Sequence, residues 1–143
     1  MQPEIKPFQK HHYPEARALW ESTEGVGLND ADERIPTERF LDRNPGLSMV
    51  ACAGGRMVGT LLVGHDGRRG FIHHLAVAKS ARRMGVAQAL VRKGILALAC
   101  EGIARCHVLV YSTNSVGRAF WESIGAEHRD VFSIYLLTAE ACR

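Results

Sequence analysis

Apolar positions along the chain switch between a two-residue and a roughly four-residue period, and the switches mark the elements. Ile5 to Phe8 reads as a short strand. Pro14 then suits the first turn of a helix running from Tyr13 to Thr23, with Ala16, Leu19 and Trp20 on one side. Gly25 to Arg34 is polar and reads as a loop; Pro36 to Asn44 reads as a second short helix with Phe40 and Leu41 turned inward. Ser48–Ala53 and Met57–Val63 are apolar runs around Gly54-Gly55, a hairpin signal. His65 to Gly70 is a tight connection into a strand from Phe71 to Val77, followed by a basic loop from Ala78 to Met84.

The longest helical pattern comes next. Ala87, Leu90, Val91, Gly94, Ile95 and Leu98 recur at helical spacing, with Gln88, Arg92 and Lys93 on the other side, and Gly102 is the expected stop. Glycine inside a helix costs about 1 kcal/mol against alanine, so Gly94 points to a close contact. Arg105–Tyr111 reads as a strand, Val116–Ile124 as a helix, and Ala126–Leu137 as the final strand or strands. There is no repeat and no low-complexity tract. The order predicts an α/β (α+β) fold, with a mixed sheet flanked by helices.

The junction between the basic loop and the long helix carries the candidate chemistry. The first amides of a helix have no intrahelical acceptor, and the helix dipole adds positive charge there, so the position accepts anions. Arg82 and Arg83 add charge-assisted donors, and Gly85 allows backbone angles closed to other residues. A solvated strand-to-helix connection is the plain alternative. No Gly-Lys-Ser/Thr is present for a P-loop, and no GxGxxG follows a strand.

Leu75-Ala76-Val77, then Arg82-x-x-Gly85-x-Ala87, resembles the cofactor motif of the GNAT N-acetyltransferase superfamily. Downstream, Asn114 followed by Ala119-Phe120-Trp121-Glu122-Ser123-Ile124-Gly125-Ala126 is similar to that family's later segment, and His65-Asp66-Gly67-Arg68-Arg69-Gly70 to a turn found in small bacterial members. The resemblance covers nearly the whole chain. It implies a mostly antiparallel central sheet, with acetyl-coenzyme A as co-substrate. It assigns cofactor contacts to Leu75, Ala76, Val77, Arg82, Arg83, Met84, Gly85, Val86, Ala87, Asn114, Arg118, Phe120 and Trp121. It also implies direct attack by an amine in a ternary complex, a strand N–H near Leu75 facing the oxyanion, and an acceptor pocket lined by the loop between the first two helices. Three positions depart from the pattern. Ala87 replaces the usual Gly, Met84 sits where Arg or Lys is commoner, and Trp121 replaces the Tyr that many members use as general acid. An indole N–H donates a hydrogen bond but is not a useful acid.

An alkylamine has a pKa near 10, so it must shed a proton before or during attack. Candidates for the base are His73 and His74, whose side chains point to opposite faces because strand side chains alternate. Tyr111 and Ser112, at the end of the neighbouring strand, are further candidates, as is a water-mediated path. Asn114 is equally suited to capping a helix, and Ser115 could replace it there. Arg118 could face water, and Phe120 and Trp121 could be ordinary packing residues. The loop acids Glu24, Asp30, Asp32 and Glu33 form either a rim for a cationic acceptor or a solvated surface.

Bulk properties narrow the classes. With 143 residues the chain is expected to form one domain, 1–143. A net charge of +3, without a long basic run, gives little support to a nucleic-acid partner. No apolar stretch is long enough to cross a bilayer, and Met1–Lys10 is polar and contains proline, unlike a secretory leader. The expectation is cytoplasmic. Four cysteines without a CxxC pair argue against structural zinc, and no metal site is assigned; Cys52, Cys100 and Cys106 read as buried reduced thiols. The expected partner is a small-molecule or peptide amine, with no nucleic acid or membrane, and a homodimer is compatible. A non-catalytic acyl-coenzyme A sensor is the competing reading.

Overall fold

Five strands pair in the order in which the chain makes them: β1 (Glu4–Pro7), β2 (Met49–Ala53), β3 (Arg56–His65), β4 (Gly70–Val77) and β5 (Cys106–Val108). The first three pairings are antiparallel and the last is parallel. A parallel neighbour requires a crossover, and α3 (Val86–Cys100) supplies it. Between β1 and β2 lie α1 (Tyr13–Ser22) and α2 (Arg34–Arg43). The computed structural model describes residues 2–142. The chain divides into two compact units, Met1–Tyr111, which holds the sheet, and Ser112–Arg143.

The two faces of the sheet in the first unit are set by β3. Thr60, Leu62 and Gly64 look toward α1 and α2: Thr60 bonds Trp20, and a Cβ on Gly64 would meet Phe40 and Asn44. Gly59, Leu61 and Val63 look toward α3, where a Cβ on Gly94 would sit 2.8 Å from Leu61 Cδ2 and 3.0 Å from Val63 Cγ2. The missing side chain at Gly94 is therefore what lets α3 lie close on the strand. Val86, Leu90, Val91 and Leu98 bury the rest of that helix face. Ile95, expected on the same stripe, is 40% exposed because the buried face is centred on Val86, Leu90 and Gly94 instead.

Trp20 is fully buried at the centre of the other face, with the rings of Phe8 and Tyr13 at 6.3 and 6.2 Å. Its indole Nε1–H donates to Thr60 Oγ1 at 2.9 Å, and the Thr60 hydroxyl donates in turn to the carbonyl of His74 at 2.9 Å.

The second unit contains α4 (Ser115–Ser123) and a short 3-10 turn at Ala139–Cys142. Residues 126–137 do not form the expected strand. A strand persists only where its backbone groups find a ladder, and the described residues of this unit include no strand to pair with. The expectation of buried thiols also changes. Cys100 is exposed on α3 rather than buried, while Cys52 and Cys106 are half-buried; all three are free thiols. Burial pushes the Cys106 thiol up to about 11. No helix among the described residues is long and apolar enough to cross a membrane.

Trp20→Phe removes the donor to Thr60 and leaves a gap beside it. The expected loss is about 2 kcal/mol of unfolding free energy, with an unchanged denaturant slope. A loss below about 0.5 kcal/mol would show that the indole does not anchor this face.

Candidate active site

The site begins with one extra residue. Along β3 and β4, Thr60 faces Ala76 and Leu62 faces His73, so two steps on β3 oppose three on β4. This is a β-bulge, and His74 absorbs it with φ +49°, a left-handed angle that non-glycine residues rarely adopt. The Thr60 hydroxyl holds the carbonyl of His74 in that conformation.

The bulge cancels the alternation expected of the two histidines. Both rings lie on the face covered by α1 and α2. His73 meets Phe40 edge-on, with centroids 5.8 Å apart, and His74 lies 4.8 Å from the ring of Trp20. The environments still differ. Among the described residues, neither ring nitrogen of His73 has a hydrogen-bond partner, and no buried side-chain nitrogen is left unpartnered, so these nitrogens reach the surface. Burial, with the neighbouring His74 second, holds His73 below the usual histidine value. His74 instead pairs through Nε2 with Asp32 Oδ1.

Asp32 escaped the sequence reading, which treated it as part of an acidic rim. It is buried, and its other carboxylate oxygen accepts the Asn29 N–H at 3.0 Å. Its carbonyl accepts the Tyr13 hydroxyl at 2.6 Å and Arg17 Nη1 at 3.0 Å. The local half of this arrangement was readable: Asn29 with an acid three residues later is a capping box around the 3-10 turn Asp30–Asp32. The contact with His74, 42 residues away, leaves no local signal.

The second feature is a gap in the sheet. β5 pairs with β4 only from Gly70↔Cys106 to Ile72↔Val108. From His73 to Val77, β4 has no partner on that side among the described residues. Leu75, Ala76 and Val77 therefore present a free backbone edge. Past β5 the chain reaches Tyr111, whose phenol lies against Gly27 so tightly that a Cβ there would fall 2.0 Å from the hydroxyl.

The third feature is the loop into α3. Arg83 and Gly85 both take left-handed angles, φ 65° and 75°. The first intrahelical bond runs from the Ala89 N–H to the Gly85 carbonyl at 3.0 Å. Among the described residues no side chain caps this end, and no acid lies in the first turn, so the amides of Val86, Ala87 and Gln88 stay available. Arg82 and Arg83 are exposed and form no ion pair among the described residues. Met84 is half-exposed and uncharged. A recess of about 390 Å³, lined by the end of α1 (Leu19, Ser22, Thr23), residues 77–80 and Arg82, adjoins this loop. Together the free strand edge, the uncapped amides and the arginines fit an extended ligand with an amide-rich arm and a diphosphate.

The remaining candidates lie in the second unit. Asn114 caps α4, its Oδ1 accepting the Gly117 N–H at 2.9 Å, so the capping role falls to Asn114 rather than Ser115. Arg118 Nη1 donates to the Ser112 carbonyl at 3.2 Å. The rings of Phe120 and Trp121 meet edge-on at 5.2 Å.

The family described as acetyltransferase (GNAT) matches residues 13–126. Among solved structures, the chain is similar to AAC(6')-Iy in complex with a bisubstrate analogue, CoA-S-monomethyl-acetylneamine. Identity is 18% and the TM-score 0.76, covering 97% of this chain and 100% of that one. It is also similar to the PaiA N-acetyltransferase from Thermoplasma acidophilum in complex with coenzyme A, at 18% identity and TM-score 0.76, with 91% and 92% covered. A ribosomal-protein-alanine N-acetyltransferase from Brucella melitensis biovar Abortus matches at 18% identity and TM-score 0.73, with 96% and 99% covered. At these identities the likeness establishes the fold.

The depressed His73 value has a consequence for stability. The unfolded chain binds a proton at the ordinary histidine value, about 6.5, that the folded state resists. Stability is therefore full above that value and falls as pH drops below it. His73→Gln should narrow the loss of unfolding free energy between about pH 7 and about pH 5. An unchanged loss would show that His73 is not held neutral by its surroundings.

Proposed function

The chain belongs to the acetyltransferase (GNAT) family, and on that premise we propose that it transfers an acetyl group from acetyl-coenzyme A to a primary amine, by direct attack with both molecules bound. The observation that carries this reading is the free edge of β4 beyond Ile72, leading to uncapped amides at the start of α3. Acetyl-coenzyme A supplies the acetyl group as an activated thioester.

The chain's own residues divide the work. The amides of Val86, Ala87 and Gln88, with Arg82 and Arg83, hold the diphosphate, and Gly85 keeps the loop clear of it. The backbone of Leu75, Ala76 and Val77 pairs with the amides of the pantetheine arm as an added strand would. A β4 N–H near Leu75 donates to the oxygen that gains charge. His73 is the proposed base: burial holds it neutral near pH 7, its ring nitrogens have no hydrogen-bond partner among the described residues, and it lies on the α1–α2 face where β4 loses its neighbour. Tyr111, against the α1–α2 loop, is assigned to the acceptor side. The motif resemblance assigns cofactor contacts to Asn114, Arg118, Phe120 and Trp121, the last as a packing surface rather than an acid, and Ser112 stays a candidate base.

The family match runs through both compact units, which supports one functional domain over 1–143. The acceptor class is a small-molecule or peptide amine, favoured as a cation by Glu24, Asp30 and Glu33 on the loop. Free thiols suit a reducing cytoplasm. The reading requires neither nucleic acid nor membrane, and it is compatible with a homodimer.

Calorimetric titration tests it. Acetyl-coenzyme A should bind at micromolar concentration, coenzyme A comparably, and ATP much more weakly because it lacks the pantetheine arm. No binding would overturn the proposal. Gly85→Glu puts a carboxylate at the amides in a position where a Cβ meets nothing within 4 Å, though at φ +75°. It should leave the protein folded, at a strain of about 1–2 kcal/mol, and abolish binding; unchanged affinity would remove the diphosphate from this loop. His73→Gln should lower kcat by about 10²–10⁴-fold while acetyl-coenzyme A affinity holds. An unchanged kcat would exclude His73 as the base.

A further inference from the structure

The loop from Thr23 to Glu33 is tied down at two points on opposite sides of the gap in the sheet. At one point Asp32 pairs with His74, on the bulge of β4. At the other, Gly27 lies under the phenol of Tyr111, on the continuation of β5. β4 and β5 are paired as far as Ile72 and Val108, and both contacts lie beyond that point. The loop therefore bridges the opening between the two strands on the α1–α2 face, the face that also carries His73.

The two ties differ in strength. Tyr111 is 60% exposed, and among the described residues its phenol makes no hydrogen bond and rests against Gly27. Asp32 is 7% exposed and engages every oxygen it has: one carboxylate oxygen with His74, the other with the Asn29 amide, and the carbonyl with Tyr13 and Arg17. Tyr13 and Arg17 belong to α1, Asn29 to the loop and His74 to the sheet. Asp32 is thus the residue at which helix, loop and strand meet. Removing its carboxylate leaves the Asn29 amide and the His74 ring without their partner and frees the middle of the loop.

We propose that Asp32 and His74 form a clasp that docks the Thr23–Glu33 loop over the opening between β4 and β5, making Asp32 a positioning residue for the amine-binding side of the site. That the docked loop borders an amine site rests on the acetyl-transfer reading; the clasp itself does not. The cofactor side is held by other contacts, the pairing of Ala76 and Val77 with Thr60 and Gly59 and the packing of Val86 and Leu90 against Gly59, so breaking the clasp loosens the loop and spares the cofactor.

Amide hydrogen exchange on the full chain, paired with acetyl-coenzyme A calorimetry, tests this without an identified amine. Asp32→Ala should speed exchange across residues 24–33 by at least about tenfold while exchange in α3 is unchanged. Acetyl-coenzyme A affinity should stay within about threefold of wild type. Asp32→Asn keeps an oxygen able to accept the His74 Nε2–H but turns its NH2 toward the Asn29 N–H, so it should restore only part of the protection. His74→Gln breaks the clasp from the strand side and should loosen the same residues, which keeps the test decisive if Asp32→Ala fails to fold. Unchanged loop exchange in Asp32→Ala and His74→Gln would overturn the clasp. So would acceleration that extends equally into α3, because Asp32 would then be a general support of the fold. Failure of the wild-type chain to bind acetyl-coenzyme A would overturn the acetyl-transfer reading instead, and loop exchange would still decide the clasp.

Discussion

One extra residue in β4 controls this site. Without the bulge at His74, β4 would alternate regularly, and His73 and His74 would face opposite sides of the sheet. With it, both rings share the α1–α2 face, and one of them is free to meet the loop that crosses the opening. A left-handed angle at a non-glycine residue costs of order 1–2 kcal/mol. The surrounding structure offsets that cost through the chain Trp20–Thr60–His74: a buried indole donates to a buried hydroxyl, which donates to the strained carbonyl. The strain is stored in the stretch of β4 that also lies beyond its pairing with β5.

The two histidines show how environment separates identical side chains. They are adjacent in sequence and lie on the same face. His73 packs against Phe40 and Phe71, two apolar rings that disfavour its charged form. His74 faces a carboxylate and supports the loop. A neutral imidazole with free nitrogens is suited to taking a proton, whereas an imidazole bonded to a buried carboxylate is suited to holding structure. The division follows from which partner each ring meets, not from the strand that carries them.

What could be read in the sequence follows the range of the interactions. Helical spacing in α3, the hairpin around Gly54-Gly55 and the uncapped, glycine-led start of α3 are local patterns, and each reappears within a residue or two. Gly94 was legible because a glycine in a helix is costly and asks for a reason, which Leu61 and Val63 provide. The bulge was not legible, because no glycine or proline in Phe71–Val77 marks an extra residue, and the bond from Thr60 that holds it comes from another strand. Asp32 was misread for the same reason: its partner is 42 residues away. The final strand expected over Ala126–Leu137 had the right residue types, but residue type does not supply a ladder.

The structure of the chain with acetyl-coenzyme A bound tests the central claim most directly. The account predicts the pantetheine amides paired with the backbone of Leu75–Val77 in the gap beyond Ile72, and the diphosphate on the amides of Val86–Gln88. A β4 whose free edge stays empty, with the ligand held elsewhere on the chain, for instance by Arg68, Arg69 and Arg105 around their cleft at the other end of β4, would contradict it.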